Sequence, residues 1–505
     1  MHKNKRYSNL TIHSIKFNAV MNTLLTASNM LVSVITIPYA TRVLSVEGYG
    51  DVTFAQSLST WLSSLCLVGI PTYGVRECAR VRDDPKALAR VVRELLIIIS
   101  MFTAVVLAMF AVCIGVIPRL NALAPLMWVF WISTLLLSYG VEWYFQAVEQ
   151  YEYITIRSLI FKFLSLIAVL TFVHQESDWF IYGAILALVV CGNNIFNLVR
   201  LFRTMSFYSL GSVQLRRHAK PLVSYAVLSI ASAMYLAFDS VLLGMLNANN
   251  VQVALYQLAA KIKGICWQVI NAIIGVLIPR LSYYTSNDPS KYSGLLKRGF
   301  GFVLNLCLGI VFYLSIYAQP LVVLISSEKY VAATVPVQII GVVNFFSCMS
   351  YFIGLCILSP LGRESKFATA NLLGVPVSLA LNIVFDGHLG AIGAAIAVLV
   401  AEIAIFGKQA WDARDILKMA VTPTSVCKIV VSHVVAFVIA LGTSILLSTV
   451  KIIDLLNTGG AATVVIVGFG AYCIVWSITA FLLRDDTAVW GMNTLKEVIR
   501  KVRGQ

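Results

Sequence analysis

Few residues in this 505-residue chain could do chemistry, and several of those sit in the middle of long apolar runs. One run, near 253–279, carries Gln257, Lys261, Gly264, Gln268 and Asn271 at spacings of 4, 3, 4 and 3. On a helix turning 100° per residue these form a single stripe with a cation in it. A cation at that depth is costly unless paired or wet, which makes it a functional candidate by default. Lys261 is suited to hold an anionic ligand. Asp239 lies about six residues before the outer end of the preceding run, at a similar depth and within a lysine side chain's reach, and is suited to hold that cation or take a proton. The competing reading is a static salt bridge fixing the hairpin between the two runs.

Other groups are placed less tellingly. Lys263 lies about 200° around from Lys261 and packs elsewhere or snorkels. Glu142 and Arg157 flank a short loop at similar depth, as a structural ion pair would, and Lys162 lies deeper as a second phosphate candidate. Glu402 is an isolated acid within its run. The segment GVRECARVRDDPKALARVVRE sets Arg76, Arg80 and Arg82 where lipid head groups or an incoming phosphate would meet them. Arg76, Arg80, Arg157 and Lys162 are the phosphate candidates.

Catalytic patterns are missing from the sequence. There is no GxxxxGKS/T phosphate loop, no HExxH, no GxSxG and no EF-hand loop. The six histidines do not cluster, and none of the ten cysteines forms a CxxC pair. No catalytic residue, metal or cofactor is expected, and the protein reads as a non-enzyme.

The elements that must position these groups are membrane helices. Apolar residues make up 59% of the chain and charged ones 12%, too few to cover a water-facing surface. Soluble enzymes, disordered chains and coiled coils are excluded. Fourteen apolar runs can be marked: 17–39, 51–70, 94–116, 123–146, 153–173, 178–200, 221–245, 253–279, 299–325, 332–358, 367–385, 389–407, 429–449 and 462–483. Runs of this length without alternation must be helices, because hydrocarbon leaves no other partner for the backbone. The expected fold is all-α and polytopic.

The basic residues test that count. The net charge is +15, with 38 Lys and Arg against 23 Asp and Glu. On alternate sides of fourteen spans, 31 of the 38 fall on one side and four on the other, which is the bias of short cytoplasmic loops. Both termini are therefore expected in the cytoplasm, and the basic excess reflects topology rather than nucleic acid. The outer loops are short and hold few acids.

Polar stripes recur at matching positions. The first span places Asn18, Asn22, Asn29, Ser33 and Thr36 in an arc of about 60°. The second aligns Thr53, Ser57, Thr60 and Ser64 with Gln56 at the edge, and the seventh aligns Tyr225, Ser229, Ser232 and Asp239. The third and fourteenth spans have no stripe and read as lipid-facing. Stripes on spans 1, 2, 7 and 8 predict two parallel-repeat six-helix lobes around a central cavity, a plan for alternating access. The expected divisions are 1–215 and 216–415 for the lobes and 416–505 for two further helices and a basic tail. Lys261, Asp239, Gln257, Gln268, Asn271, Asn22, Asn29 and Gln56 are the cavity candidates. Small polar residues that merely glue helices together are the simpler alternative.

Particular segments resemble a family. IPYATRVLSVEGYG, GIPTYGVRECARVRDD, EWYFQAVEQYEYITIRSLIFK and FDSVLLGML resemble the Wzx-type polysaccharide flippases of the multidrug/oligosaccharidyl-lipid/polysaccharide (MOP) superfamily. The resemblance covers nearly the whole chain. It implies transfer of undecaprenyl-diphosphate-linked repeat units from the inner to the outer leaflet of a bacterial plasma membrane, through a cationic cavity between two lobes. Its implied partners are the lipid-linked oligosaccharide, membrane lipids, and the polymerase and glycosyltransferases of surface polysaccharide synthesis, with no nucleic acid. Related lipid II flippases carry several arginines in their first two helices. Here the first span has only Lys16 at its mouth and the second has none, which argues against lipid II as cargo. A cation-coupled multidrug exporter and a glycan polymerase or ligase are the alternatives.

Overall fold

Helices account for the whole framework, as the apolar runs require. The computed structural model describes residues 15–207, 211–449 and 457–485, and no strand occurs among them. Most of the basic N- and C-terminal tails lies outside those residues.

In chain order the helices are α1 (Ile15–Val43), α2 (Val46–Leu67), α3 (Ile70–Arg80), α4 (Pro85–Val116), α5 (Pro118–Asn121) and α6 (Ala124–Ser138). There follow α7 (Glu142–Ala147), α8 (Tyr151–Phe172), α9 (Trp179–Thr204), α10 (Arg216–Leu246), α11 (Val251–Asn287) and α12 (Pro289–Ile325). The last six are α13 (Thr334–Phe352), α14 (Glu364–Leu389), α15 (Ala391–Asp412), α16 (Arg414–Ala420), α17 (Pro423–Thr449) and α18 (Thr458–Leu482). Twelve spans are long and apolar enough to cross a membrane, and fourteen if each of two bent pairs counts as one. Those pairs bend by 41° between α2 and α3, and by 54° within α10 around residues 235–236. The chain is thus an all-α, multi-pass membrane protein.

Local chemistry sets the helix ends. Ser45 caps α2 by accepting from Gly48 N at 3.1 Å. Asp84 caps α4 by accepting from Lys86 N and Ala87 N, with Pro85 at the first helical position. The break after α2 needs two left-handed residues in a row, Val68 at φ 48° and Gly69 at φ 76°. Glycine bears that conformation without steric penalty.

By its internal packing the chain forms two compact units, Met1–Ala254 and Leu255–Gln505. In the first, α2 packs against α4, α6, α9 and α10, while α1 packs against α8 and α3 against α7. This packing boundary falls after α10, one helix beyond the repeat boundary expected at 215/216. In the second unit, α15 packs on α13 and α14, and α12 on α13, α17 and α18. Lipid offers no hydrophobic drive between helices, so close approach through small residues does the work. Ala394, Ala395, Ala397 and Ala401 are buried along α15. A Cβ added to Gly393 would lie 2.6 Å from the Phe385 carbonyl oxygen.

The outer surface is apolar where lipid is expected. On α4, Met101, Val105, Met109 and Val112 are exposed, as are Ile466, Phe469, Ile474 and Phe481 on α18.

Candidate functional site

In the second unit, α11 divides its side chains by face. Leu258, Ile262, Ile270, Ile274, Leu277 and Leu281 are buried. Lys261 and Asn271 are exposed on another side, with Gln257, Gly264 and Gln268 half-buried between them. The predicted stripe is therefore a face turned away from the core of its unit. A Cβ at Gly264 or Gly275 would meet no atom within 4 Å, so the face opens onto free space. Among the described residues, no hydrogen bond or ion pair engages the Lys261 ammonium. An ammonium at bilayer depth without a protein partner requires water or an anion.

Lys263 points elsewhere. Its Nζ lies 3.5 Å from Glu402 Oε1 on α15. The Ser347 hydroxyl of α13 donates to that same oxygen. Sequence reading left Glu402 isolated, because its partners come from two helices far away in the chain.

The other cavity candidates belong to the first unit. Asp239 is buried on α10 and Gln56 is half-buried on α2. The hydroxyls of Thr53, Thr60 and Ser64 bond back to carbonyls of their own helix, which satisfies them without water. Asn18 is buried, and its amide donates to Glu149 Oε2 at 3.5 Å. The side chains of Asn22 and Asn29 lie outside the described residues.

The basic segment around Arg76–Arg82 is a worked surface. Arg76 donates to the Tyr225 hydroxyl at 2.9 Å, and Arg80 to Glu77 Oε1 at 3.0 Å. Both arginine side chains remain about half exposed, at 50% and 59%. Arg82 pairs with Glu149 at 2.6 Å. That contact, a hydrogen bond first and a charge attraction second, raises the arginine's proton affinity. Arg157 is buried, donating to Asn193 Oδ1 at 2.7 Å and lying 3.6 Å from Glu142. Lys162 donates to Ser28 Oγ at 2.9 Å and the Leu25 carbonyl at 3.3 Å, tying α8 to α1. The structure thus leaves Arg76 and Arg80 open and engages Arg157 and Lys162 with protein groups.

A buried polar chain was not legible beforehand. Glu94 on α4 is fully buried, accepting from Gln214 N at 2.9 Å, Arg217 at 2.5 Å and His218 Nε2 at 3.0 Å. The other ring nitrogen of His218 lies 2.7 Å from the Tyr73 hydroxyl. The chain joins α3, α4 and α10 across 124 and 145 residues of sequence, too far for spacing to reveal. The one available signal was an acid at the start of an apolar run.

At the loop after residue 358, Arg363 grips Asp415 with two hydrogen bonds of 2.9 and 2.7 Å. They pull the Asp415 carboxyl down to about 2.

Known proteins are similar to this chain in sequence and in fold. A family model described as "Polysaccharide biosynthesis protein" matches residues 15–285. A "Putative O-antigen transporter" of Shigella dysenteriae is 25% identical over 406 residues, covering 77% of this chain and 98% of its own. A protein of the same name from Escherichia coli (strain K12) is 22% identical over 404 residues, covering 77% and 94%. Among solved structures, a lipid II flippase in an inward closed conformation aligns with a TM-score of 0.63 at 13% identity, covering 91% of this chain and 99% of that one. An inward-facing multidrug resistance transporter of the MATE family, in the MOP superfamily, aligns with a TM-score of 0.53 at 12% identity, covering 77% and 99%. At such identities these two establish a shared fold.

Proposed function

The chain belongs to the polysaccharide biosynthesis protein family, and we propose that within it this protein flips lipid-linked oligosaccharides across a bacterial plasma membrane. The cargo is an undecaprenyl-diphosphate-linked repeat unit, moved from the inner to the outer leaflet by alternating access, with both termini in the cytoplasm. Glycosyltransferases supply that cargo and a polymerase consumes it. Two six-helix repeats at 1–215 and 216–415, with two helices beyond, belong to the same reading.

The observation that carries it is Lys261, exposed on an open polar face with no protein partner among the described residues. Its ammonium takes the diphosphate, while Gln257, Gln268 and Asn271 offer amides to sugar hydroxyls. Arg76 and Arg80 make first contact at the inner side. Arg157 and Lys162, held by protein groups, support helix positions. Asn22, Asn29, Gln56 and Asp239 are proposed as ligand contacts of the first unit on the sequence stripes alone. The names of the curated relatives support a transporter. An exposed ammonium is a poor host for cationic drugs.

The test is a deletion strain scored for the leaflet in which lipid-linked repeat units accumulate. Wild type should clear inner-leaflet accumulation, Lys261→Arg should clear it largely, and Lys261→Ala should not. Full glycan export by the Lys261→Ala, Asp239→Ala double variant would overturn the reading.

A further inference from the structure

We propose that the face shared by α8 and α9 is a binding site for one anionic glycerophospholipid, with Arg200 and Arg203 holding the head-group phosphate and an apolar groove along α8 taking an acyl chain. The proposal stands apart from the transport reading and uses none of its ligand contacts.

Protein groups occupy two sides of α8. Lys162 and Thr155 bond to α1. Arg157 bonds to Asn193 of α9, and Phe161 meets Phe196 there at 5.5 Å between ring centres. The third side is a groove of about 360 Å³ lined by Ile156, Leu159, Ile160, Phe163, Leu164 and Ile167. All but Leu159 are exposed. From residue 156 to 167 the groove runs about 17 Å, at 1.5 Å per residue. One leaflet contributes about 15 Å to the hydrocarbon core, so an acyl chain of a single leaflet matches that length.

Cations stand at one end of the groove. Tyr153, one turn before Ile156, carries the Arg200 guanidinium of α9 over its ring, 3.8 Å from the centroid. Gln150 Oε1 accepts from the same arginine at 3.3 Å, so its fork is held in place. Arg203 is exposed one turn further along α9, on the same side by helical spacing. Glu142 faces Arg157 instead. Among the described residues no carboxylate pairs with Arg200 or Arg203. Two guanidiniums without acids, next to an apolar groove one leaflet long, fit a phosphate head with a chain attached. A free anion would leave the groove unfilled, and a neutral lipid would leave the charges unmet.

Photolabelling of the purified full-length protein in nanodiscs tests this. The probe is phosphatidylglycerol with a diazirine on its acyl chain, diluted into phosphatidylcholine, and the control is phosphatidylcholine with the same diazirine. Adducts on 156–167 are counted against those on 101–112 of α4, where Met101, Val105, Met109 and Val112 are exposed. That ratio should be at least about fivefold higher for phosphatidylglycerol than for phosphatidylcholine. Unlabelled phosphatidylglycerol should bring it down, and Arg200→Gln with Arg203→Gln should return it to the phosphatidylcholine level. Equal ratios for the two lipids in wild type, or a ratio unmoved in the double variant, overturn the proposal. Displacement by undecaprenyl phosphate but not by unlabelled phosphatidylglycerol also overturns it, because the occupant is then a polyprenyl phosphate. Should the double variant not fold, Arg203→Gln at its exposed position decides alone. A drop of at least about twofold supports the proposal, and an unchanged ratio overturns it.

Discussion

Removing the Glu94 carboxylate should loosen the first unit where α3, α4 and α10 meet, by an amount that the contacts fix. Glu94→Ala deprives His218 and the Gln214 amide of a charged acceptor, the first bond buried and the second part-buried. Hydrogen bonds to charged groups contribute roughly 1.5–3 kcal/mol each. The bond from Arg217 adds less, because that side chain is 40% exposed and water can replace the carboxylate. The expected loss is therefore about 3–5 kcal/mol, the range for breaking one side of a buried ion pair. Glu94→Gln retains an acceptor and should lose about half as much. Tyr73→Phe removes a single neutral bond, worth about 1 kcal/mol. Denaturant unfolding in micelles, followed by circular dichroism, measures all three. Because Tyr73, His218 and Glu94 form one chain, Tyr73→Phe with Glu94→Ala should be non-additive by about 0.5 kcal/mol or more. A Glu94→Ala loss below about 1 kcal/mol, or equal losses for alanine and glutamine, would refute the charged-acceptor reasoning.

Three further outcomes follow from named contacts. Gly69→Ala places a Cβ 2.4 Å from the Tyr225 carbonyl carbon in a residue at φ 76°, so the α2–α3 break cannot form as seen. Folded yield in membranes should collapse, and a normal yield would contradict the geometry. Asp415, held down to about 2 by Arg363, contributes stability that is present above its unfolded value near 4. That contribution should fade as pH falls from about 4 toward 2, and in Arg363→Gln the fade should vanish, as proteolysis of the 359–363 loop would report. Lys162→Met loses two hydrogen bonds to α1, yet Ser28 keeps its own bond to the Leu25 carbonyl at 2.7 Å. Export should persist with a stability loss of about 1 kcal/mol, and a loss of export at full stability would make Lys162 a ligand contact.

The helices were legible in the sequence because bilayer crossing imposes length and composition together. Arginine and lysine bias favoured fourteen spans, a number that the described helices reach when each bent pair is taken as one span. The α11 face was also legible, since Gln257, Lys261, Gly264, Gln268 and Asn271 are neighbours through helical period alone. What stayed hidden depended on more than one helix. Nothing near Glu402 in sequence points to Lys263 or Ser347, which are 139 and 55 residues away. His218 looked like one of six scattered histidines until α10 brought it to Glu94 and Tyr73. The α2 stripe does not by itself call for water. Thr53, Thr60 and Ser64 have the spacing of a wet face, but hydroxyls can bond to their own helix and then need none.

The two lysines of α11 show how neighbours in sequence come to different uses. A charged side chain near the middle of a membrane helix costs roughly 2.5–3.5 kcal/mol on insertion scales. For Lys263 the protein offsets that cost internally, with Glu402. For Lys261 no protein group among the described residues does so, and the offset is left to whatever enters the open face. An anion that recovered about 3 kcal/mol there would bind on the order of 100-fold more tightly than a neutral analogue. A ligand with a diphosphate and a hydroxyl-rich head meets both the cation and its flanking amides, whereas a bare apolar molecule meets neither. On the proposed reading, selectivity for such a head group would follow from leaving Lys261 uncompensated among the described residues, while Lys263, on the opposite side, anchors the same helix through Glu402.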